Sequence, residues 1–347
     1  MSKRINSKDV AREAGVSAAT VSYVLNETKT VTISKETREK VLAAVQKLGY
    51  VPNQAAKTLG SSRFVGKSKS NLIGLVIPQT ESGKELMFDN PFYGDFLSAV
   101  EYAARQEGFH LLVSGVNADQ SYIDIAKNRS LDGIIILGMY PSEDNKEYKQ
   151  IGIPTVLVDC YGTDHFFHSV RTDDRYGGYL ATRHLIQHGH KRIAFVSGEV
   201  KESGVTDMRF LGYQDALREA HIPFDQSLVF TGYVGYQYGI EAAAKIAQCN
   251  AGITAAFAAA DIIAVGMIKG FRNLNLRVPE DISIIGFDDI YQAEICDPGL
   301  TTIRQNIKEK GNAVAKIIVS AAKNSTFPKT EIVIPLEIVE RESVRNL

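Results

Sequence analysis

The chain has 347 residues, 44% hydrophobic and 23% charged, with a formal net charge of −1, which suits two or three globular domains better than one core. The basic first residues lead into no apolar run and no apolar stretch is long enough to span a bilayer, so neither a secretory signal nor a membrane span is expected, and the expected location is the cytoplasm. Residues 1–70 hold 13 Lys and Arg against 5 Asp and Glu and the remainder 26 against 35, so a small basic module precedes a larger acidic body, and only the former is suited to a polyanion.

Asn6 reads as a helix N-cap with Asp9 three residues on, and Val10, Ala11 and Ala14 give the following turns one apolar face up to Gly15. Ser17 opens a second helix with Val21, Val24 and Leu25 inward and Ala18, Ala19, Ser22 and Tyr23 outside. After a loop over 26–33, Ser34 caps a third helix with Val41, Leu42, Val45 and Leu48 inside and Gly49 as its stop. The spacing of Ala11, Gly15 and Val21 suits the close crossing of a helix-turn-helix. In that arrangement the second helix enters the major groove. Ala18, Ala19 and Tyr23 face base edges, while Ser17, Thr20 and Ser22, with Lys8 and Arg12, meet phosphates. A helical hairpin with a polar surface is the competing reading.

Residues 16–22 read V-S-A-A-T-V-S and residues 50–59 read Y-V-P-N-Q-A-A-K-T-L. On these two motifs the head resembles the LacI/GalR family of bacterial transcription regulators. The resemblance implies a hinge helix that orders on DNA, with Asn53, Ala56 and Leu59 as contacts and Leu59 wedged into the minor groove. Tyr23 stands where family members often carry arginine, and the two base-reading positions before it are alanine. Thymine methyl contacts and DNA shape are therefore expected to take a larger share of specificity than hydrogen-bonded readout. The Ser-, Gly- and Lys-rich tether over 60–70 contains a P-loop look-alike, but five residues separate its glycines where the motif needs four, and no strand precedes it. Nucleotide binding is rejected there.

From residue 71 apolar runs at 72–77, 109–113, 131–137 and 154–158, then at 192–196, 255–258 and 282–287, alternate with helical patterns such as 94–106. Such alternation predicts an α/β body of two doubly wound parallel-sheet lobes, with ligands held at the carboxyl ends of the strands. The body resembles the family's effector-binding core, itself similar to periplasmic sugar-binding proteins, through stretches such as N-P-F-Y at 90–93, G-H-K-R-I-A-F at 189–195, R-F-L-G-Y at 209–213 and G-F-D-D at 286–289. The resemblance implies three crossings between lobes, near 168–172, 298–301 and 329–332. The domains are then a head over 1–50, hinge and linker over 51–70, and a core over 71–347, its N-terminal lobe comprising 71–169 with 300–330 and its C-terminal lobe 172–298 with 331–347. No leucine heptad follows residues 339–342, which favours a homodimer over a tetramer.

In the cleft Arg209 and Asp288 are the leading effector contacts, a donor fork and a bidentate acceptor suited to vicinal hydroxyls. Asp159 and Gln305 fall at further family contact positions, and Phe92 with Tyr93 could stack on an apolar ligand face. The alternatives are an ion pair between lobes for Arg209 and Asp288, and plain core packing for Phe92 and Tyr93. Ala260-Asp261 stands where many relatives have Asn-Asp, and Val234 where several place an aromatic, so the ligand need not be a common sugar. The three cysteines, Cys160, Cys249 and Cys296, read as reduced thiols. His184, His188 and His190 read as surface residues near a helix end, with neither a metal nor a cofactor implied, and no catalytic grouping is identifiable. The expectation is a homodimeric transcription regulator, a repressor of a double-stranded DNA operator, modulated by a sugar-like effector between the lobes. The alternatives are a catabolite-control-type regulator driven by a phosphorylated carrier protein, and a sugar-binding or sugar-modifying protein with a DNA-binding head.

Overall fold

The computed structural model describes residues 5–25, 31–50, 70–78, 88–116, 125–126, 129–138, 151–161, 167–200, 204–249, 251–324 and 328–347. It divides into two units, 1–70 and 71–347.

In the first unit α1 (Ser7–Ala14), α2 (Ala18–Leu25) and α3 (Lys35–Leu48) close on one small core. Asn6 Oδ1 accepts the backbone N–H of Lys8 at 2.9 Å and of Asp9 at 3.3 Å, and the Asp9 carboxylate accepts the Asn6 N–H at 3.0 Å. This reciprocal box satisfies donors that a helix start leaves open. Gly15 and Gly49 end α1 and α3 in the left-handed region, at φ 65° and 58°. Val10, Val21, Val24 and Val41 are buried as their spacing predicts, but Leu42 is 48% exposed. It lies about 100° round the helix from Val41, and the inner face continues through Ala44 with Val45 and Leu48 half-buried. The hinge and tether, and with them Asn53, Ala56, Leu59 and the P-loop look-alike, lie outside the described residues.

The second unit carries two six-stranded sheets. The first contains β1 (Leu72–Pro78), β2 (His110–Val116), β3 (Gly133–Leu137), β4 (Thr155–Val158), β5 (His168–Thr172) and β11 (Glu331–Ile334), ordered β11-β5-β4-β3-β1-β2. The second contains β6 (Ile193–Gly198), β7 (Val229–Gly232), β8 (Ala255–Ala258), β9 (Ser283–Asp288), β10 (Thr301–Gln305) and β12 (Leu336–Val339), ordered β12-β10-β9-β8-β6-β7. The paired strands are parallel except β10 with β12. Residues of β3, β6 and β9 are buried at every position, because helices cover both faces of a parallel sheet. On the first sheet α4 (Pro91–Gln106) packs against α10 (Ile307–Lys323). On the second, α5 (Asp174–Gln187) and α6 (Val205–Glu219) take one face, and α7 (Tyr236–Gln248) and α8 (Asp261–Asn273) the other; the short α9 (Tyr291–Ile295) follows β9.

Each of the seven expected strands is present, with ends shifted by at most three residues. The first expected crossing, near 168–172, agrees with the structure, and the other two need correction. Residues 301–304 pair with 285–288 of β9, so β10 belongs to the second lobe, and 331–334 pair with 169–172 of β5, so β11 belongs to the first. The chain changes sheets after Thr172, Gln305 and Ile334, the last time with only Pro335 between β11 and β12. Strand order reverses between β1 and β3 and again between β6 and β8, where doubly wound sheets open a crevice at their carboxyl ends.

Candidate functional site

That crevice is a cavity of about 140 Å3 lined from both sheets by Gly138 after β3, Asp159 after β4, Gly198 of β6, Ala260 after β8, Asp288 of β9 and Gln305 of β10. All six expected effector residues, Phe92, Tyr93, Asp159, Arg209, Asp288 and Gln305, border it. Asp159 and Asp288 hold positive φ angles of 53° and 126°. Non-glycine residues adopt such angles only when the surroundings impose them, and in doing so they turn both carboxylates at the strand ends.

Arg209 reaches the site because α5 and α6 cross at backbone contact. A Cβ on Gly178 would lie 2.2 Å from the Arg209 carbonyl oxygen, and one on Gly212 1.9 Å from that of Arg175. Across this crossing Arg209 Nε and one terminal nitrogen each donate to Asp174 Oδ1 at 2.7 Å, and the other donates to the Ala259 carbonyl at 2.6 Å. The guanidinium lies 3.6 Å from the Phe287 ring centroid and 3.7 Å from Asp288 Oδ1. Burial is the strongest single influence on Asp174 and works against its charge, but Arg209, Lys310 and the Tyr161 hydroxyl together outweigh it and hold the carboxyl below its usual range. Asp174 also accepts from the Thr172 hydroxyl at 3.0 Å and from the hydroxyl of Tyr161, which reaches over from the first lobe.

Lys310, with no exposed surface, donates to both oxygens of Asp159 at 2.7 and 2.9 Å and to Gln305 Oε1. That contact orients the Gln305 amide, whose Nε2 donates to Asp288 Oδ1 at 2.6 Å. A continuous polar chain therefore runs from Asp159 and Lys310 in the first lobe through Gln305 and Asp288 to Arg209 and Asp174 in the second. Burial pushes Asp288 up to about 6 against the pull of Arg209. Arg209 borders the cavity, and its firm partner is Asp174 of the same lobe rather than Asp288, so the ion pair it makes does not run between lobes. Phe92 likewise sits in the core, 7% exposed and edge-on to Tyr93 at 5.6 Å, while bordering the cavity.

Sequence reasoning missed Lys310 and Asp174. A signal existed for the first, a lysine on the buried stripe of α10 otherwise made of Ile307, Val314, Ile317 and Ile318. For the second, Asp173 already caps α5 through the Tyr176 N–H at 3.0 Å, leaving the adjacent aspartate without a capping task. Asp261 points away from the cavity and accepts from the Thr302 hydroxyl at 2.6 Å and the Ile290 N–H at 3.1 Å. Burial with Asp288 nearby raises it to about 8. Val234 borders the cavity, as its alignment with the family's aromatic position implies.

In the head, Ser17, Ala18, Ala19, Ser22 and Tyr23 are exposed on one side of α2 and Thr20 is half-buried. Ser17 Oγ accepts the Thr20 N–H at 3.0 Å and lies 2.9 Å from the Thr20 hydroxyl, so the same serine starts the helix and stands at its exposed end.

Residues 7–53 match the bacterial regulatory proteins of the lacI family, and residues 182–344 match a periplasmic binding protein-like domain. The chain is 34% identical over 347 residues to the HTH-type transcriptional regulator DegA of Bacillus subtilis (strain 168), covering 98% of each. It belongs to the lacI family. A second member, the HTH-type transcriptional repressor PurR of Vibrio atlanticus (strain LGP32), is 31% identical over 346 residues with 98% of each chain covered. Among solved structures, the lac repressor dimer bound to operator and the anti-inducer ONPF superposes with a TM-score of 0.76 at 25% identity, covering 99% of this chain and all of that one. This lacI-family chain is therefore a DNA-binding transcription regulator with an effector-binding body, and not an enzyme. Two of the histidines read as superficial are not: His184 and His190 are buried, and His190 bridges Thr254 Oγ1 at 3.0 Å and the Arg345 carbonyl at 3.1 Å, pinning the last residues to the second sheet. Among the described residues no helix is long and apolar enough to cross a membrane.

Proposed function

We propose that the chain is a cytoplasmic, homodimeric repressor whose operator affinity is set by a small polar effector, a sugar or related polyol, held between the two lobes. The observation carrying this reading is the convergence of Phe92, Tyr93, Asp159, Arg209, Asp288 and Gln305 on one cavity at the strand ends of both sheets. The hydrogen-bonded chain through Lys310 and Gln305 supports it further, because a ligand that displaces any member changes how the lobes are tied together. Ser17, Ala18, Ala19, Thr20, Ser22 and Tyr23 would meet the operator, with Asn53, Ala56 and Leu59 of the hinge. Two heads and two hinges would read a roughly palindromic site.

The test is a thermal-shift screen of sugars, polyols and nucleobases on the full chain, followed by operator binding with each hit. A ligand that binds only the native protein raises its melting temperature. The expected outcome is a hit that changes operator affinity with no carrier protein present. Hits that leave operator affinity unchanged until a phosphorylated carrier is added would replace this reading with the catabolite-control one.

A further inference from the structure

Resting on the reading of the cleft as the effector site, we propose that its ligand is a single monosaccharide-sized ring, and that Val234 is the specificity-determining residue that shuts out a second ring. The cavity measures about 140 Å3. That is close to the ~150 Å3 of an apolar cavity that takes up one benzene molecule, and well short of the ~300 Å3 at which sites for larger ligands begin. Strand order gives the cleft two unlike ends. Asp288 ends β9 and Gln305 ends β10, on the side where the chain passes between the sheets, and Asp159 follows β4 on the matching side of the first sheet. Gly198 ends β6, and Val234 follows β7, the edge strand on the far side. Adjacent strands lie ~4.8 Å apart, so the two strand steps from β9 through β8 to β6 leave about 10 Å between Asp288 and Gly198. One ring with its hydroxyls fits in that span, and two linked rings do not.

Val234 closes the far end because the corner it belongs to is filled. A Cβ on Gly198 would lie 2.7 Å from Val234 Cγ2, so the valine side chain rests on bare backbone at the end of β6. The turn that carries Val234 is held down in the same way on either side. A Cβ on Gly232 would run into the Tyr238 ring, one on Gly235 would lie 2.9 Å from the Tyr233 ring, and the two tyrosine rings meet at 5.6 Å. Tyr238 is buried, and Tyr233 and Val234 both pack against the core cluster that contains it. A side chain seated in so dense a corner yields to a bulky ligand only if its neighbours move, which carries the ordinary cost of overpacking. The ring is therefore oriented as well as limited. Asp159, Arg209, Asp288 and Gln305 gather its hydroxyls, and the position most remote from them faces Val234, where a glycosidic bond has no room to lead to a second ring.

The experiment is isothermal titration of the full chain with D-glucose, D-galactose, D-mannose and D-xylose, and with cellobiose, maltose, lactose, mannobiose and xylobiose as the disaccharides built from them. In the wild type at least one monosaccharide is expected to bind, and every disaccharide containing it to bind at least about tenfold more weakly. Val234→Gly is expected to raise the affinity for such a disaccharide at least about tenfold, and Val234→Ala serves the same comparison if the glycine variant does not fold. A disaccharide that binds the wild type within that tenfold margin overturns the proposal, as does a panel in which no monosaccharide binds. Folded Val234 variants with no gain for disaccharides overturn the role given to Val234. Titrations of Asp288→Asn separate these failures from failure of the cleft as the effector site. A disaccharide that binds the wild type and is lost in that variant keeps the cleft and removes the single-ring limit, whereas a monosaccharide whose binding the variant leaves intact lies elsewhere and removes the cleft, and the proposal with it.

Discussion

Lys310 and Arg209 place two basic side chains inside the body, each with a carboxylate oxygen at 2.7 Å. Removing one member leaves the other buried alone. Arg209→Met is therefore expected to lower stability by about 3–5 kcal/mol, read from urea midpoints, with partial recovery when Asp174→Asn is added. An unchanged midpoint would show that Asp174 does not need the guanidinium. Asp261 behaves in the opposite sense. Its folded-state value of about 8 lies above the ordinary 3.8, so the folded chain holds a proton that the unfolded chain has lost. Its contribution to stability consequently declines as pH rises from about 4 to about 8. Asp261→Asn mimics the protonated form toward Thr302 and is expected to flatten that decline across urea melts at pH 5, 6.5 and 8; an equally steep decline in the variant would place its origin elsewhere. Arg209, Asp288, Asp159 and Gln305 were legible in the sequence because conspicuous motifs or strand ends carry them. Lys310 was hidden because a lone lysine in a helix is ordinarily a solvated residue, and its partner Asp159 is 151 positions away.

At the level of elements, the site depends on how closely α5 and α6 approach. Gly178 and Gly212 leave no room for a side chain, and it is this contact that sets Arg209 against Asp174. Gly212→Ala is expected to separate the helices and cost about 1–3 kcal/mol, with loss of ligand-induced thermal shift greater than the stability change alone explains. A melting curve indistinguishable from wild type would show that the crossing can relax. The central strands were legible because burial on both faces makes them continuously apolar. The strands β5, β7, β11 and β12 were not: they are only partly buried, and their apolar positions are interrupted. Strand β10 escaped for another reason, since its Thr301, Thr302 and Gln305 are buried but polar, satisfied by Ser343, Arg341, Asp261 and Asp288. The three helices of the head, by contrast, were marked at their ends by Asn6, Gly15, Ser17, Ser34 and Gly49, residues that act within a few positions of themselves.

For the whole molecule, the proposed function requires DNA binding by the head and ligand binding by the body to communicate through the residues that join them, and Leu59 is the residue there with the most specific expected task. If it wedges into the minor groove, Leu59→Ala should weaken operator binding by at least about tenfold while changing binding to random DNA little, because unstacking a base step gains only where the site bends to receive it. Equal losses on both would assign Leu59 to the linker alone. The sequence by itself determined the class of the protein, its three-helix head, the alternation that builds two parallel sheets and six of the residues at their crevice, all of which depend on spacing within one element or on a short motif. Only the tertiary structure decided to which sheet β10 and β11 belong, that Asp174 and not Asp288 holds Arg209, and that Lys310 spends its charge on Asp159. Those outcomes depend on which distant segments share a buried volume, where a charge is stable only beside its partner, and no local pattern encodes that choice.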